Sequence, residues 1–170
     1  SCQAARLKYE PKRTVPMCIF PPAGPLEFVA MDILGPLPKT SQGNRYVLVI
    51  VDRFSKLVRT IALANVDSVT VARAYVDGWV AIYGTPVVVL TDNETQFRSK
   101  SMTCVNQLLG VKQAYTTPYH PSTNGQCERF NRELCTKIAH YAATQADWDL
   151  DLAVATKAYN DTVHSTTNSS

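Results

Sequence analysis

The chain has 170 residues, 45% of them apolar and 18% charged, and 17 Lys and Arg against 14 Asp and Glu give a net charge of +3. That is enough apolar chain for one globular domain with a sizeable core, and too little charge for a disordered one. No apolar run reaches membrane-spanning length, no signal peptide opens the sequence, and five cysteines with no CxxC pair argue for a reducing compartment rather than a disulfide scaffold.

Residues 1–25 hold five of the ten prolines and the one basic cluster, Arg6, Lys8, Lys12 and Arg13, and read as an extended linker. A basic tail of this kind permits a polyanionic partner without requiring one. Phe28–Leu34 reads as a strand closed by Gly35-Pro36, Ser41–Asn44 as a hairpin-type turn, and Tyr46–Val51 as an unbroken apolar strand of central type. A third strand, Leu57–Leu63, follows the Asp52-Arg-Phe-Ser55 corner. The period then changes. Asp67 or Ser68 caps a helix whose Val69, Ala72, Val76, Val80 and Tyr83 share a face, and Gly84 and Pro86 stop it.

Val87–Leu90 reads as a short buried strand with Asp92 at its carboxyl end. A helix from about Ser99 to Leu109, ended by Gly110, and a brief strand near Val111–Tyr115 come next. After the breakers Pro121 and Gly125, Cys127, Phe130, Leu134, Ile138 and Tyr141 recur at helical spacing, and a last helix spans roughly Trp148 to Val163. Cys104, Cys127 and Cys135 fall in helical, apolar contexts that predict buried free thiols. Three adjacent strands followed by βαβαβ and terminal helices predict an α/β fold, a mixed sheet covered by helices on its faces.

Three acids stand out against this frame. Asp32 interrupts the first strand on the side of Phe28, Ala30 and Leu34, where an ionised carboxylate is costly unless it is paired, binds a cation or reaches water at a strand end. Asp92 lies outside the carboxyl end of a strand, where ligand-binding residues of open α/β sheets collect, although an Asp-Asn pair also makes an ordinary turn. Glu128 begins the long helix, either as a dipole-friendly acid paired with Arg132 at i+4 or as a third member of a cluster. Three converging carboxylates repel one another and need positive charge. Oxygen donors without His or Cys suit Mg²⁺ or Mn²⁺, and two such ions clamp the oxygens of an in-line phosphoryl displacement.

Between Asp92 and Glu128 lie 35 residues, and Met31-Asp32-Ile-Leu-Gly-Pro36, Val51-Asp-Arg-Phe-Ser-Lys56, Thr91-Asp92-Asn93 with Gln96-Phe97, and Pro118-Tyr-His-Pro-Ser-Thr-Asn-Gly-Gln-Cys-Glu-Arg-Phe-Asn131 occur in that order. This ordered set resembles the catalytic core of retroviral and LTR-retrotransposon integrases, with their D,D-35-E arrangement, and is most similar to the Ty3/Gypsy group. The resemblance covers about residues 25–165, with 1–24 as the linker from an N-terminal zinc-binding module and 166–170 as a truncated C-terminal linker. It implies an RNase H-like fold, a five-stranded mixed sheet flanked by helices on both faces. It also implies that Asp32, Asp92 and Glu128 hold two Mg²⁺ or Mn²⁺ ions, Asp32 bridging both.

The implied reaction is Mg-dependent polynucleotidyl transfer with endonuclease-type phosphodiester chemistry, joining the element's DNA 3′ ends to target DNA. Asn124, Gly125 and Gln126 would face the DNA ends, and Arg132 would contact phosphate or pair with Glu128. Tyr119 and His120 are expected to pack the loop, and Asp52 to serve as a structural cap. Cys2-Gln3 resembles the last ligand of the family's zinc module, whose other ligands this sequence lacks, so no zinc site and a fragment of a longer polyprotein are expected. The partners implied are retroelement DNA ends, target DNA and further copies of the protein as a dimer or larger multimer, with no membrane. The place implied is the nucleus, after assembly in a cytoplasmic virus-like particle. One departure stands beside the second acid: Glu94 occupies a position where the family usually has Gly, which predicts strain if that turn needs a positive φ. It is also the one support for an alternative reading, a domesticated, non-catalytic nucleic-acid-binding derivative.

Overall fold

The computed structural model describes residues 24–116, 136–141, 144 and 146–161. Its centre is a five-stranded sheet built from β1 (Phe28–Leu34), β2 (Tyr46–Asp52), β3 (Val58–Leu63), β4 (Val88–Thr91) and β5 (Lys112–Tyr115). The order across the sheet is β3-β2-β1-β4-β5. β1, β2 and β3 pair antiparallel through short turns, whereas β4 and β5 run parallel to β1 and are reached through helical crossovers. The expected five-stranded mixed sheet is therefore present, each strand within a residue or two of its predicted bounds.

Between β3 and β4 the chain forms α1 (Ser68–Tyr75), a π-helical stretch (Val76–Val80) and α2 (Ala81–Tyr83). Asp67 is the N-cap, accepting from the backbone N–H groups of Val69 and Thr70. α3 (Lys100–Leu108) starts on Ser99, whose hydroxyl accepts from the Met102 N–H at 3.2 Å. Residues 136–141 are helical (α4), and α5 spans Trp148–Asn160.

Alternation along β1 sends Val29, Met31 and Ile33 to one side, where they join Leu48, Ile50 and Val89 in a core covered by Val71, Tyr75, Trp79, Phe97 and Met102. The predicted helical stripe needs a correction here. Ala72 is buried and Val76, Val80 and Tyr83 pack against the core as expected, but Val69 is 64% exposed and the fully buried residues are Val71, Tyr75 and Trp79. The buried face is thus broader than the predicted stripe, and over Val76–Val80 a π-helical stretch brings Trp79 into it. Cys104 also departs from expectation. α3 turns Met102, Val105, Asn106 and Leu109 inward, which leaves Cys104 exposed on the other side.

On the opposite side Val47, Val49, Val51 and Val58 pack against Trp148 and Leu152 of α5. The start of α5 also grips the β1–β2 hairpin. The Trp148 indole N–H donates to the Pro38 carbonyl (2.8 Å), Asp147 accepts from the Ser41 N–H (2.8 Å), and Asp149 accepts from Thr40 (2.8 Å) and Asn44 (2.7 Å). At its other end the Asn160 amide bonds both the N–H and the C=O of Val58 at 2.8 Å, so part of the β3 edge cannot recruit another strand. This grip fixes the hairpin that follows Asp32.

Candidate active site

The parallel pairing of β1 with β4 matches Phe28 to Val88, Val29 to Val89 and Ala30 to Leu90. Carried two residues on, the same offset sets Asp32 level with Asp92, on adjacent strands spaced about 4.8 Å apart. Both acids have the parity of Ala30 and Leu90, so they fall on the side of the sheet that holds the small cluster Phe28, Ala30 and Leu90. Sequence separation hides this neighbourhood. The strand pairing creates it.

Asp32 is half-buried at the carboxyl end of β1, and one of its oxygens accepts the N–H of Ile33 at 2.8 Å. Gly35 closes the strand at φ +140°, where a Cβ would stand 2.6 Å from the Tyr46 ring and 2.8 Å from the Arg45 carbonyl, so no larger residue fits that exit. Asp92 follows β4 directly. Its carboxylate accepts the Glu94 N–H at 3.0 Å, and the loop is tied to the end of β5 by the Asn93 amide on the Thr116 carbonyl (3.2 Å) and by the Thr116 N–H on the Thr91 carbonyl (2.8 Å).

Glu94 reports on the electrostatics. Partial burial pushes its carboxyl above the usual range, the charges of Asp92 and then Asp32 push it further, and a hydrogen bond from the Gln96 amide opposes them. One glutamate feels both aspartates, so the three carboxyls share one end of the sheet. The expected backbone strain is absent: among the described residues the non-glycine positions at positive φ are Leu26 and Lys56, not Glu94. The turn after Asp92 accommodates a side chain, and what Glu94 alters is charge.

Two half-buried carboxylates in register, repelling a third, make a hard-oxygen donor set that fits a divalent cation. Among the described residues no trio of His, Cys, Asp or Glu forms a metal cage. Carried past its last pair, the β1–β4 register puts Asp32 and Asp92 at neighbouring strand positions, while Glu128, Asn124, Gly125, Gln126 and Arg132, like Tyr119 and His120, lie outside the described residues. Asp52 sits apart, fully buried at the far end of the β1 pairing, where it accepts from the Ser55 N–H (2.9 Å) and hydroxyl (2.5 Å) as the cap of its corner. The Arg98 guanidinium stands 5.9 Å from the centroid of the Tyr115 ring, and Tyr115 pairs with Thr91, which has the parity of Val89, so this contact belongs to the side of the sheet away from the two acids. Only the β4–β5 pairing reveals that contact. The apolar cleft of about 190 Å³ between β3, α4 and α5 is elsewhere, against the edge strand.

A mixed sheet in this order, with acids at the carboxyl ends of its first and fourth strands, defines the RNase H-like class. The same fold is seen in the HTLV-2 integrase catalytic core domain in complex with magnesium (trimeric form), with a TM-score of 0.65 and 19% identity over 86% of this chain and 93% of that one. Residues 22–121 match the family model described as an integrase core domain, residues 109–165 match a second model of the same description, and the chain belongs to this family. It is 32% identical over 135 residues, 79% of its length, to the retrovirus-related Pol polyprotein from transposon 412 of Drosophila melanogaster. It is 27% identical over 161 residues, 94% of its length, to the transposon Tf2-3 polyprotein of Schizosaccharomyces pombe. The matches cover 11% and 12% of those polyproteins, so the chain spans about a tenth of the relatives it resembles. The retroelement integrase core read from the motifs is borne out.

Proposed function

We propose that this chain is the catalytic core of a retroelement integrase that joins the element's DNA 3′ ends to target DNA by two-metal transesterification. The observation that carries the reading is the register of β1 with β4, which sets Asp32 level with Asp92 in a member of the integrase core family. Asp32 and Asp92, with Glu128 as the third acid, would hold the cations. Bound Mg²⁺ or Mn²⁺ supplies Lewis-acid stabilisation of the attacking and leaving oxygens. The protein's own residues then have positioning roles. The tied loop after β4 holds Asp92 against β5, the hairpin gripped by α5 fixes the exit of Asp32, and no side chain serves as a covalent nucleophile. The nucleophile is the 3′-hydroxyl of the element's DNA.

Asn124, Gly125 and Gln126 are proposed to contact those DNA ends, and Arg132 a phosphate. The working form is proposed to be a dimer or larger multimer acting on chromatin in the nucleus. Strand transfer of a labelled DNA end by the full-length protein in Mg²⁺ tests the reading, with Asp32→Asn, Asp92→Asn and Glu128→Gln as variants. Each is expected to abolish joining while the protein stays folded; joining retained by any one of them removes this mechanism. Wild-type protein that binds DNA but joins nothing would favour the domesticated alternative.

A further inference from the structure

We infer that Glu94, held in place by Gln96, is a cation-retaining residue: its charge raises the affinity of Asp32 and Asp92 for a divalent ion while weakening that of the site for DNA. This rests on the reading above that the two aspartates hold such an ion, and adds to it two residues from the loop after β4. The backbone around Glu94 is fixed on both sides. Its N–H donates to the Asp92 carboxylate at 3.0 Å, and its carbonyl accepts the N–H groups of Phe97 and Arg98 at 3.2 and 3.1 Å. Phe97 is fully buried, and its carbonyl accepts the Gln113 amide of β5 at 2.7 Å. The side chain is fixed as well. The Gln96 amide donates to the Glu94 carboxylate, and the Gln96 side-chain oxygen accepts the Thr95 hydroxyl at 3.2 Å. An exposed glutamate with no such tie spreads its charge over many rotamers, whereas a tied one delivers it from one place.

That place is beside the acid pair. The charges of Asp92 and Asp32 both act on the Glu94 carboxyl, and Coulomb interaction is mutual, so Glu94 adds a third negative charge to the field at the pair. Among the described residues no trio of His, Cys, Asp or Glu forms a cage, so Glu94 acts from outside the direct ligands. Mg²⁺ keeps several of its waters when bound, and a carboxylate with one amide donor retains acceptor sites for them. The same charge repels an approaching phosphodiester. One side chain therefore pulls two ligands of opposite charge in opposite directions, which a purely structural role would not do. At saturating metal only the effect on DNA remains.

The test is a manganese titration of the DNA-free full-length protein, followed by the electron paramagnetic resonance signal of unbound Mn²⁺. Fluorescence anisotropy of a mixed-sequence DNA duplex in EDTA gives the second readout. Glu94→Gln is expected to weaken Mn²⁺ binding roughly three- to tenfold and to tighten DNA binding about twofold. Gln96→Leu should weaken Mn²⁺ binding about twofold in the native background and not at all in the Glu94→Gln background, the non-additivity of two residues acting through one carboxylate. Unaltered Mn²⁺ affinity in Glu94→Gln, or a Gln96→Leu effect that survives without the Glu94 charge, overturns the proposal. Asp92→Asn separates it from the reading it rests on. Manganese affinity lost in Asp92→Asn but unchanged in Glu94→Gln sinks this inference alone, whereas affinity that Asp92→Asn leaves intact sinks both.

Discussion

Beneath α1 and α3, strands β1 and β4 turn Val29, Met31, Ile33 and Val89 into a core closed by two large aromatics, Tyr75 and Trp79. On the reverse side the same two strands offer Phe28, Ala30 and Leu90 and then reach two acids. The first side is a packing surface; among the described residues the second packs α5 over β2 and β3, buries Phe28, Ala30 and Leu90, and carries the two acids toward the ends of β1 and β4. The contrast teaches where an enzyme of this class can place carboxylates. They sit at strand ends, where the core on the other side already holds the strands in register and burial of the charge is partial.

The largest expected break in that contrast is chemical. Asp32→Asn or Asp92→Asn should lower DNA joining by more than about a thousandfold, the several kcal/mol that cation-held charge stabilisation supplies. Thermal melting should be unchanged or slightly raised, since a repulsion is removed. A melting temperature that falls in step with activity would assign these acids to the fold instead.

The two buried tryptophans sharpen the contrast in packing. Trp148 on the second side donates to Pro38, whereas the Trp79 indole N–H on the first side has no acceptor among the described residues. Trp148→Phe should therefore destabilise by about 1–2 kcal/mol more than Trp79→Phe, because it strands a carbonyl that had a partner. Urea denaturation of both variants measures it; equal losses would contradict the hydrogen-bond account. Next in size, Ser99→Ala removes the cap of α3 and should lower stability by about 1 kcal/mol without altering catalysis per folded molecule.

A smaller effect is expected at Glu94. Its charge faces both aspartates and the approaching phosphodiester, so Glu94→Gln should raise joining about two- to threefold, chiefly through KM. Glu94→Gly should match it, because the backbone there has no need of glycine. A gain seen with Gly alone would restore the strain explanation.

The smallest effect concerns the grip of α5 on the hairpin. The Ser41 N–H beside Asp147 holds its carboxyl below the usual range. Its folded pKa lies below the unfolded one, so this stabilisation is present at pH above the unfolded value and is lost as pH falls through the folded one. Melting curves across that acidic range should be less steep in pH for Asp147→Asn than for wild type, and superimposable slopes would exclude the effect.

Much of this was legible in the sequence, for physical reasons. Tyr46–Val51 is apolar at every position because β2 is covered on both sides, and Asp67, Ser99, Gly84 and Gly110 mark helix ends by caps and by positive φ. Asp32 stood out because acids are rare within strands, and Asp92 because it lies just outside the carboxyl end of one. Strand order was not legible, since pairing β1 with β4 depends on a crossover that no local pattern encodes. Nor was the π-helical stretch that carries the buried Trp79, nor the side of α3 that leaves Cys104 in solvent. The contact of Arg98 with Tyr115 gave no signal because it depends on a ring contributed by another strand.

The central claim is that Asp32 and Asp92 act as one cation site across two strands. Anomalous diffraction from crystals of the protein soaked in Mn²⁺ tests it most directly. The account predicts a manganese peak bonded to carboxylate oxygens of both Asp32 and Asp92, lost in Asp92→Asn. Manganese bound elsewhere, with the two aspartates sharing no ion, would contradict it.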